Sequence, residues 1–185
     1  MATRTQRLSR AIVRAPGASF VAGLTRANLG RPDYQLALSQ HAAYCRALEN
    51  CGLTLTRLGP DERFPDSTFV EDTAVIIPRR NGIGDSKKRA AVVTRPGAVS
   101  RRGEELTIKQ TLTQLGLEIF EIAPRKVKQA VVGYGAAQKS AVAKMVQRVL
   151  RLPVQPDADA ADALALAMAY AQTTSRYSFD PPKRV

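Results

Sequence analysis

The sequence changes character at Ala123-Pro124, and this change limits the possible folds more than any other feature. Before it, short apolar segments typical of strands alternate with two amphipathic patterns typical of helices. After it, three helical patterns follow one another without a further strand pattern. A strand-and-helix part followed by an all-helical part predicts an α/β fold that continues into a separate helical segment.

The first part predicts five strands and two helices. The strands are expected at Arg10–Arg14, Leu53–Leu58, Thr68–Ile77, Ala90–Thr94 and Leu117–Ile122, and the helices at Asp33–Asn50 and Ser100–Leu115. The second part predicts helices at Arg125–Val132, Ala137–Leu150 and Asp157–Gln172. Gly52 ends the first helix, since glycine is the commonest residue just past a helix C-terminus.

The charge is strongly basic. Lysine and arginine number 28 against 16 acidic residues, a net charge of +12 in 185 residues. Met1–Ile122 has 18 cations and 12 anions, and Ala123–Val185 has 10 and 4, so each part carries +6. An excess of this size attracts polyanions, of which nucleic acid is the commonest in the cytosol, and it slightly favours a nucleic-acid partner over a merely solvated surface.

Other counts exclude several classes of protein. No apolar run approaches the roughly 20 residues of a membrane-spanning helix, so we expect no membrane partner. Two cysteines, Cys45 and Cys51, cannot form a disulfide framework and predict a reducing, cytoplasmic location. The single histidine, His41, excludes a metal site built from several histidines of one chain.

Acidic residues crowd into the segment FPDSTFVED. Asp66, Glu71 and Asp72 lie within seven residues, and the last two stand inside an otherwise apolar segment that predicts a strand. A carboxylate buried in a strand needs a partner, because an unpaired buried charge is costly. Two interpretations stay open: a structural salt bridge with an arginine, or a site for a cationic ligand.

A family resemblance begins at these residues. The stretches AIVRAPGASFVAGLT, LGRPDYQLALSQHAAYCRALE, PDERFPDSTFVED and VTRPGAVSRRGEE resemble the N-terminal half of dimethylarginine dimethylaminohydrolases, which belong to the pentein superfamily. The resemblance covers Ala11–Glu121 and implies half of a pentein-like (ββαβ) propeller. Compared with that family, an insertion of about ten residues is expected between Val75 and Val92, near Arg79–Arg89.

The resemblance also implies roles for single residues. Leu24 corresponds to the lid-loop residue whose backbone meets the substrate, and Asp66 to the group that takes the α-amino end. Glu71 and Asp72 correspond to the carboxylates around the guanidinium. Arg101 corresponds to the clamp for the α-carboxylate, for which a guanidinium fork is well suited.

The catalytic set implied by this family is incomplete. The family uses a cysteine near its C-terminus and a histidine in its second half, and neither has a counterpart here. His41 and Cys45 are one helical turn apart on the first predicted helix. We interpret that pair as helix packing, although a Cys–His dyad is the alternative.

A second acidic pair lies on the last predicted helix, in DADAADALALAMAY. Asp159 and Asp162 are three residues apart and therefore share one helix face. Two interpretations are equally supported. The pair could bind a divalent cation, since hard cations prefer carboxylate oxygens, or it could be an exposed face that interacts with the helix dipole.

A second resemblance covers Ile122–Tyr170. The stretches APRKVKQAVVGYGAAQKSAVAKMVQRVL and RLPVQPDADAADALALAMAYA resemble the C-terminal third of RuvC-type Holliday-junction resolvases, which have an RNase H-like fold. Asp159 and Asp162 then correspond to catalytic, metal-binding carboxylates, so Mg²⁺ is the implied cofactor. The site would be incomplete, because two further carboxylates of the family have no counterpart.

Other residues of this segment also have counterparts in the resolvases. Lys128 and Lys139 correspond to lysines that contact DNA phosphates, and Gly133-Tyr134-Gly135 to the turn between them. Tyr170 stands where the family often has a histidine.

The two resemblances predict a chain made of two unrelated partial domains. Residues 1–122 form the dimethylargininase-like half, 123–172 the RuvC-like helical segment and 173–185 a basic tail. The three helices are expected to lack the sheet that they normally cover. Three functions stay open: a dimethylargininase-like hydrolase of methylated arginine, present as its substrate-binding half; a module that binds or cleaves DNA; and a chimera with neither activity.

Overall fold

The computed structural model describes residues 8–25, 27–77, 89–93, 96–173 and 183–184. The chain divides into two compact units. Unit 1 is Met1–Val70 with Ala98–Glu104, and unit 2 is Glu71–Gly97 with Glu105–Val185. The boundary predicted between residues 122 and 123 therefore falls inside unit 2.

Unit 1 is a βαβ arrangement with two short 3-10 turns. Strands β1 (Arg10–Arg14) and β2 (Thr54–Leu58) pair in parallel, with Arg10 opposite Thr54. Helix α1 (Tyr34–Asn50) connects them, and its first turn is capped by Asp33, which accepts the Leu36 N–H at 3.0 Å. These three elements confirm the sequence prediction. The 3-10 turns lie at Ala18–Ala22 and Val99–Arg101.

The described part of unit 2 is a four-stranded sheet with four α-helices. Its strands run in the order β3 (Ala74–Ile77), β4 (Ala90–Val93), β5 (Glu118–Glu121) and β6 (Lys183–Arg184). The β4–β5 pair is parallel and the two outer pairs are antiparallel. The helices are α2 (Glu105–Gln114), α3 (Pro124–Val132), α4 (Lys139–Leu150) and α5 (Ala158–Thr173). The mixed α/β composition and the three C-terminal helices were predicted correctly.

Helices cover both faces of this sheet. All four residues of β4 are fully buried, as expected for a central strand packed on both sides. On one face, the ring centroids of Phe120 and of Tyr170 on α5 are 5.1 Å apart, in a core that also holds Val92 and Val146. Ile119 points to the opposite face, because neighbouring strand residues alternate between faces, and there it lines a cleft together with residues of α2.

The three C-terminal helices were predicted without the sheet that they normally cover, but in unit 2 they do pack on a sheet. Helix α5 packs on β3 and β4, and α3 and α4 pack on α5. The strands β3 and β4 come from the segment that resembles dimethylargininases, whereas the helices come from the RuvC-like segment. Long-range strand pairing produces this shared core, and a segment-by-segment analysis of the sequence does not detect it.

Three further predictions need correction. Val70–Thr73 forms a 3-10 turn before β3, so the strand predicted over Thr68–Ile77 is only its second half. The helix predicted over Ser100–Leu115 begins as the turn at Val99–Arg101 and continues as α2 from Glu105. The two-residue strand β6 follows the helices and pairs with β5.

Two other predictions lie mostly outside the described residues. These are the insertion near Arg79–Arg89 and the basic tail at 173–185. Among the helices that are described, none combines the length and apolarity that crossing a bilayer requires.

Candidate functional sites

Asp66 and Leu24 are joined by a hydrogen bond in unit 1. Asp66 lies in the loop after β2 and is only 6% exposed. Its Oδ1 and Oδ2 accept the Leu24 N–H at 3.0 and 3.2 Å. The Leu24 side chain is 61% exposed, so the backbone of this residue is fixed while its side chain faces solvent.

Glu62 contacts the start of the segment that ends at Leu24. Its Oε1 accepts the Ala18 N–H and its Oε2 the Ser19 N–H, each at 2.8 Å. These two backbone donors lower the pKa of the Glu62 carboxyl. The sequence analysis missed this residue, because its partners lie more than 40 residues away and no local pattern marks the pairing.

Asp61 fixes the acidic stretch from which Glu62 and Asp66 project. The Arg63 guanidinium donates to both Asp61 oxygens, from Nε at 2.8 Å and Nη2 at 2.7 Å. This contact lowers the pKa of Asp61. Arg14, which is 2% exposed, lies on the other side with Nη1 3.4 Å from Asp61 Oδ2.

Arg101 already holds a carboxylate of its own chain. Its Nε donates to Glu104 Oε1 at 2.8 Å, and Glu104 is buried. Gly103, between them, has a φ of +108°, a value that glycine adopts without strain. A ligand carboxylate would therefore compete with Glu104 for the Arg101 guanidinium.

Glu71 and Asp72 are not buried in a strand, contrary to the sequence prediction. Both are exposed and lie on the 3-10 turn at Val70–Thr73. They belong to unit 2, whereas Leu24, Asp66 and Arg101 belong to unit 1. The argument that these two carboxylates must have a partner because they are buried therefore fails.

His41 and Cys45 are neighbours on α1. Cys45 Sγ lies 3.8 Å from His41 Nδ1 and 3.9 Å from Nε2, and the cysteine is 5% exposed. Burial, followed by the nearby positive charge of Arg57, lowers the pKa of His41. The spacing of four residues and the burial of Cys45 agree with helix packing.

The acidic pair of α5 has a different environment. Asp159 and Asp162 are both exposed, and Asp162 Oδ2 accepts from Lys139 Nζ of α4 at 2.8 Å. Within the described part of the chain, no three His, Cys, Asp or Glu side chains form a group that could hold a metal ion. The residues present therefore fit a divalent cation poorly, because an ammonium group already neutralises one of the two carboxylates.

The turn between the two predicted DNA-binding lysines depends on its glycines. Lys128 lies half-buried on α3, and Lys139 is the first residue of α4. Gly133 ends α3 with a φ of +100°. A Cβ on Gly135 would collide with the side chain of Arg125, so a larger residue there requires this exposed side chain to move. Tyr170 is buried against Phe120.

Comparison with known proteins separates the two regions. The chain is 50% identical over 101 residues to a dimethylarginine dimethylaminohydrolase of Pseudomonas aeruginosa, a match that covers 55% of this chain and 36% of the relative. A solved structure of a mutant of that enzyme, complexed with citrulline, superposes with a TM-score of 0.55. The two are 45% identical, and the match covers 62% of this chain and 42% of the enzyme.

The C-terminal region matches a different family. The family profile for crossover junction endodeoxyribonuclease RuvC matches residues 102–170. The RuvC protein of Acinetobacter baylyi is 49% identical over 67 residues, which is 36% of this chain and 37% of that protein. The profile match begins at residue 102, inside the stretch up to Glu121 that the sequence analysis compared with dimethylargininases.

The chain thus joins a region similar to dimethylargininases to a region similar to RuvC resolvases, as the sequence analysis predicted. It spans about a third of the length of the curated relatives that it matches.

Proposed function

We propose that the N-terminal region is the substrate-binding half of a dimethylargininase-like hydrolase, built as half of a pentein-like propeller, and that it holds arginine-like amino acids weakly. The contact between Asp66 and Leu24 carries this proposal. A nearly buried carboxylate accepts a backbone N–H at 3.0 and 3.2 Å, which leaves further lone pairs on both oxygens for an α-ammonium group.

In the proposed binding mode, residues of unit 1 take the amino-acid end of the ligand. Asp66 takes the α-ammonium group and Arg101 the α-carboxylate. Binding is weak because Glu104 competes for the Arg101 guanidinium, with its Oε1 at 2.8 Å from Nε.

We do not expect these 185 residues to hydrolyse methylated arginine by themselves. The cysteine and histidine that the first resemblance implies have no counterpart at matching positions. His41 and Cys45 lie on α1, and the low exposure of the thiol keeps it from a substrate. Turnover would need groups supplied from outside these residues.

Calorimetry of the full chain with Nω-methyl-L-arginine tests this function. We expect a Kd on the order of 1 mM, equivalent to about −4 kcal/mol. Asp66→Asn should remove the binding, whereas Asp157→Asn, an exposed change on the C-terminal side, should not. Micromolar affinity would contradict the weak-binding argument, and binding that survives Asp66→Asn would refute the assigned site.

A second function, DNA binding by the C-terminal region, has its own support. Residues 102–170 match the RuvC profile, and Lys128 and Lys139 occupy the positions that the resemblance gives to phosphate contacts. Because phosphate contacts dominate such binding, affinity should fall steeply with salt. Lys128→Ala and Lys139→Ala should each lower the salt slope by about 1 for every DNA sequence. Lys109→Ala, which removes a lysine paired with Glu121 at 2.8 Å, is the matched control.

We further propose that Asp159 and Asp162 bind Mg²⁺ weakly and support no cleavage. Mg²⁺ needs near-octahedral oxygen coordination, and Asp162 is paired with Lys139 at 2.8 Å. A four-way junction incubated with the chain and Mg²⁺ or Mn²⁺ should stay uncut above background. Cleavage that Asp162→Asn abolishes would mean that a complete metal site assembles.

The third alternative is a chimera without either activity. It is the outcome if neither methylarginine nor DNA binds to the folded chain. One continuous sequencing read across the codons for Phe120–Lys126 in the source DNA tests whether the join exists there.

A further inference from the structure

The loop from Gly17 to Leu24 is held at both ends by carboxylates. At its start, the two oxygens of Glu62 accept the Ala18 and Ser19 N–H groups, each at 2.8 Å. At its end, the two oxygens of Asp66 accept the Leu24 N–H at 3.0 and 3.2 Å. Hydrogen bonds from backbone N–H groups to a carboxylate are about twice as strong as neutral ones, so these contacts fix the loop.

Two glycines permit the close approach of these carboxylates. A Cβ on Gly17 would lie 2.7 Å from Glu62 Oε1, and a Cβ on Gly23 would lie 2.7 Å from Asp66 Oδ1. Their backbone angles are φ −85° and φ −60°, which any residue adopts. Space for the carboxylates, and not backbone conformation, is therefore what both glycines provide.

The segment that supplies both carboxylates is itself fixed. The Phe64 N–H donates to the Asp61 carbonyl at 3.1 Å and the Ser67 N–H to the Phe64 carbonyl at 3.0 Å. Asp61 is held by the Arg63 guanidinium at 2.7 and 2.8 Å. Glu62 and Asp66 thus project from one hydrogen-bonded segment, which contacts both ends of the loop.

We propose that Glu62 is a positioning residue for the amine site at Asp66 and Leu24: it fixes the start of the Gly17–Leu24 loop and thereby sets the place of the Leu24 backbone. The effect on ligand binding rests on the proposed function of the N-terminal region. The effect on the loop does not, because the hydrogen bonds exist without a ligand.

The test uses the full chain and amide hydrogen exchange measured by NMR. Glu62→Gln keeps one acceptor and replaces the other by a donor, so the Ala18 and Ser19 amides should exchange about two- to tenfold faster, the factor that the net energy of a hydrogen bond allows. The Leu24 amide should exchange faster too, and the Kd for Nω-methyl-L-arginine should rise by a similar factor. Glu49→Gln, an exposed carboxylate on α1 bonded to Arg57, is the control.

A double-mutant cycle separates positioning from general destabilisation. Gly17→Ala should displace the Glu62 carboxylate and accelerate exchange of the Ala18 and Ser19 amides as much as Glu62→Ala does. The double variant should show no greater acceleration than either single variant. Gly59→Ala, at an exposed glycine with no atom within 4 Å of the added Cβ, should change nothing.

Each outcome has a distinct meaning. Unchanged Ala18 and Ser19 amides in Glu62→Gln, or additive effects of Gly17→Ala and Glu62→Ala, would overturn the proposed contact. Faster exchange at Ala18 with an unchanged Leu24 amide would overturn the positioning role. Absence of any methylarginine-induced shift in the unmodified chain would refute the proposed function while the amide data still decide the role of Glu62.

Discussion

The two regions of the chain treat their carboxylates in opposite ways. In unit 1, Glu62 and Asp66 each accept backbone N–H groups at 2.8 to 3.2 Å, and Asp66 is nearly buried. In unit 2, Asp159 and Asp162 are exposed on α5, and Asp162 is bonded to the flexible ammonium group of Lys139. Backbone donors cannot move away, whereas a lysine side chain can. The first arrangement is therefore preorganised and the second is not.

The same contrast does not extend to the hydrophobic core. Unit 2 has a central strand that is completely buried and helices on both faces of its sheet. Unit 1 has a two-stranded parallel sheet and one helix. The better packed unit thus carries the less organised acidic pair. A well-formed core therefore does not by itself organise a site on its surface.

The largest change in the free energy of unfolding is expected from a charge placed in the core of unit 2. Val92→Asp puts a carboxylate at a fully buried position of β4 and should cost more than about 3 kcal/mol, because the charge has no partner there. Urea denaturation followed by circular dichroism measures the loss. Ile76→Asp, on β3 at a position that is 47% exposed, is the control and should cost less than about 1 kcal/mol. Equal costs would contradict the position of β4 at the centre of the sheet.

A matched pair of truncations tests the contrast between the acidic sites directly. Asp66→Ala removes both acceptors of the Leu24 N–H, a hydrogen bond to a charged group whose side chain is nearly buried, and should cost about 1–3 kcal/mol. Asp159→Ala removes an exposed carboxylate and should stay within about 0.5 kcal/mol of the unmodified chain. Both are measured as free energies of unfolding in urea. If Asp159→Ala costs as much as Asp66→Ala, the α5 pair is more organised than its exposure indicates.

A smaller effect is expected from the Lys139–Asp162 pair. Lys139→Met should change the free energy of unfolding by less than about 1 kcal/mol, because both side chains are largely exposed. It should also strengthen the broadening of the Asp162 NMR signals by Mn²⁺, since it removes the competing ammonium group. Lys144→Met, on an exposed position of the same helix, is the control. Equal broadening in both variants would show that Lys139 does not neutralise Asp162.

Local sequence patterns were sufficient for most elements of the fold. Strand β1, helix α1 and the three C-terminal helices follow from apolar spacing and, for the end of α1, from Gly52. The segment TFVEDTAVII misled the analysis because its apolar residues indicate a strand throughout. A 3-10 turn at Val70–Thr73 exposes Glu71 and Asp72, and it thereby avoids the burial of two adjacent charges.

Contacts between distant residues explain what the sequence did not predict. Glu62 lies 44 residues from Ala18, and Lys139 lies 23 residues from Asp162. The packing of α5 on β3 and β4 likewise depends on strand pairing across the chain. Residue types showed which side chains could take part in a site. Only the fold determined that Asp66 meets Leu24 and that Asp162 meets a lysine.

The smallest effect is a pH dependence confined to the start of the loop. Backbone hydrogen bonds from Ser19 and Ala18 lower the pKa of Glu62, and the nearby Asp61 carboxylate acts weakly in the opposite direction. A carboxyl group with a lowered pKa in the folded state stabilises that state above its unfolded pKa of about 4.3, and this stabilisation disappears as the pH falls through the folded value. Protonated Glu62 accepts more weakly, so the Ala18 and Ser19 amide shifts should move as the solution is acidified from about pH 6 to about pH 3, with a midpoint below the usual glutamate value. The same titration of Glu62→Gln should lose this step and keep only what Asp61 contributes. A midpoint at or above the ordinary glutamate pKa would mean that the two N–H groups do not lower the pKa of Glu62. The contrast with the carboxylates of α5 would then rest on Asp66 alone.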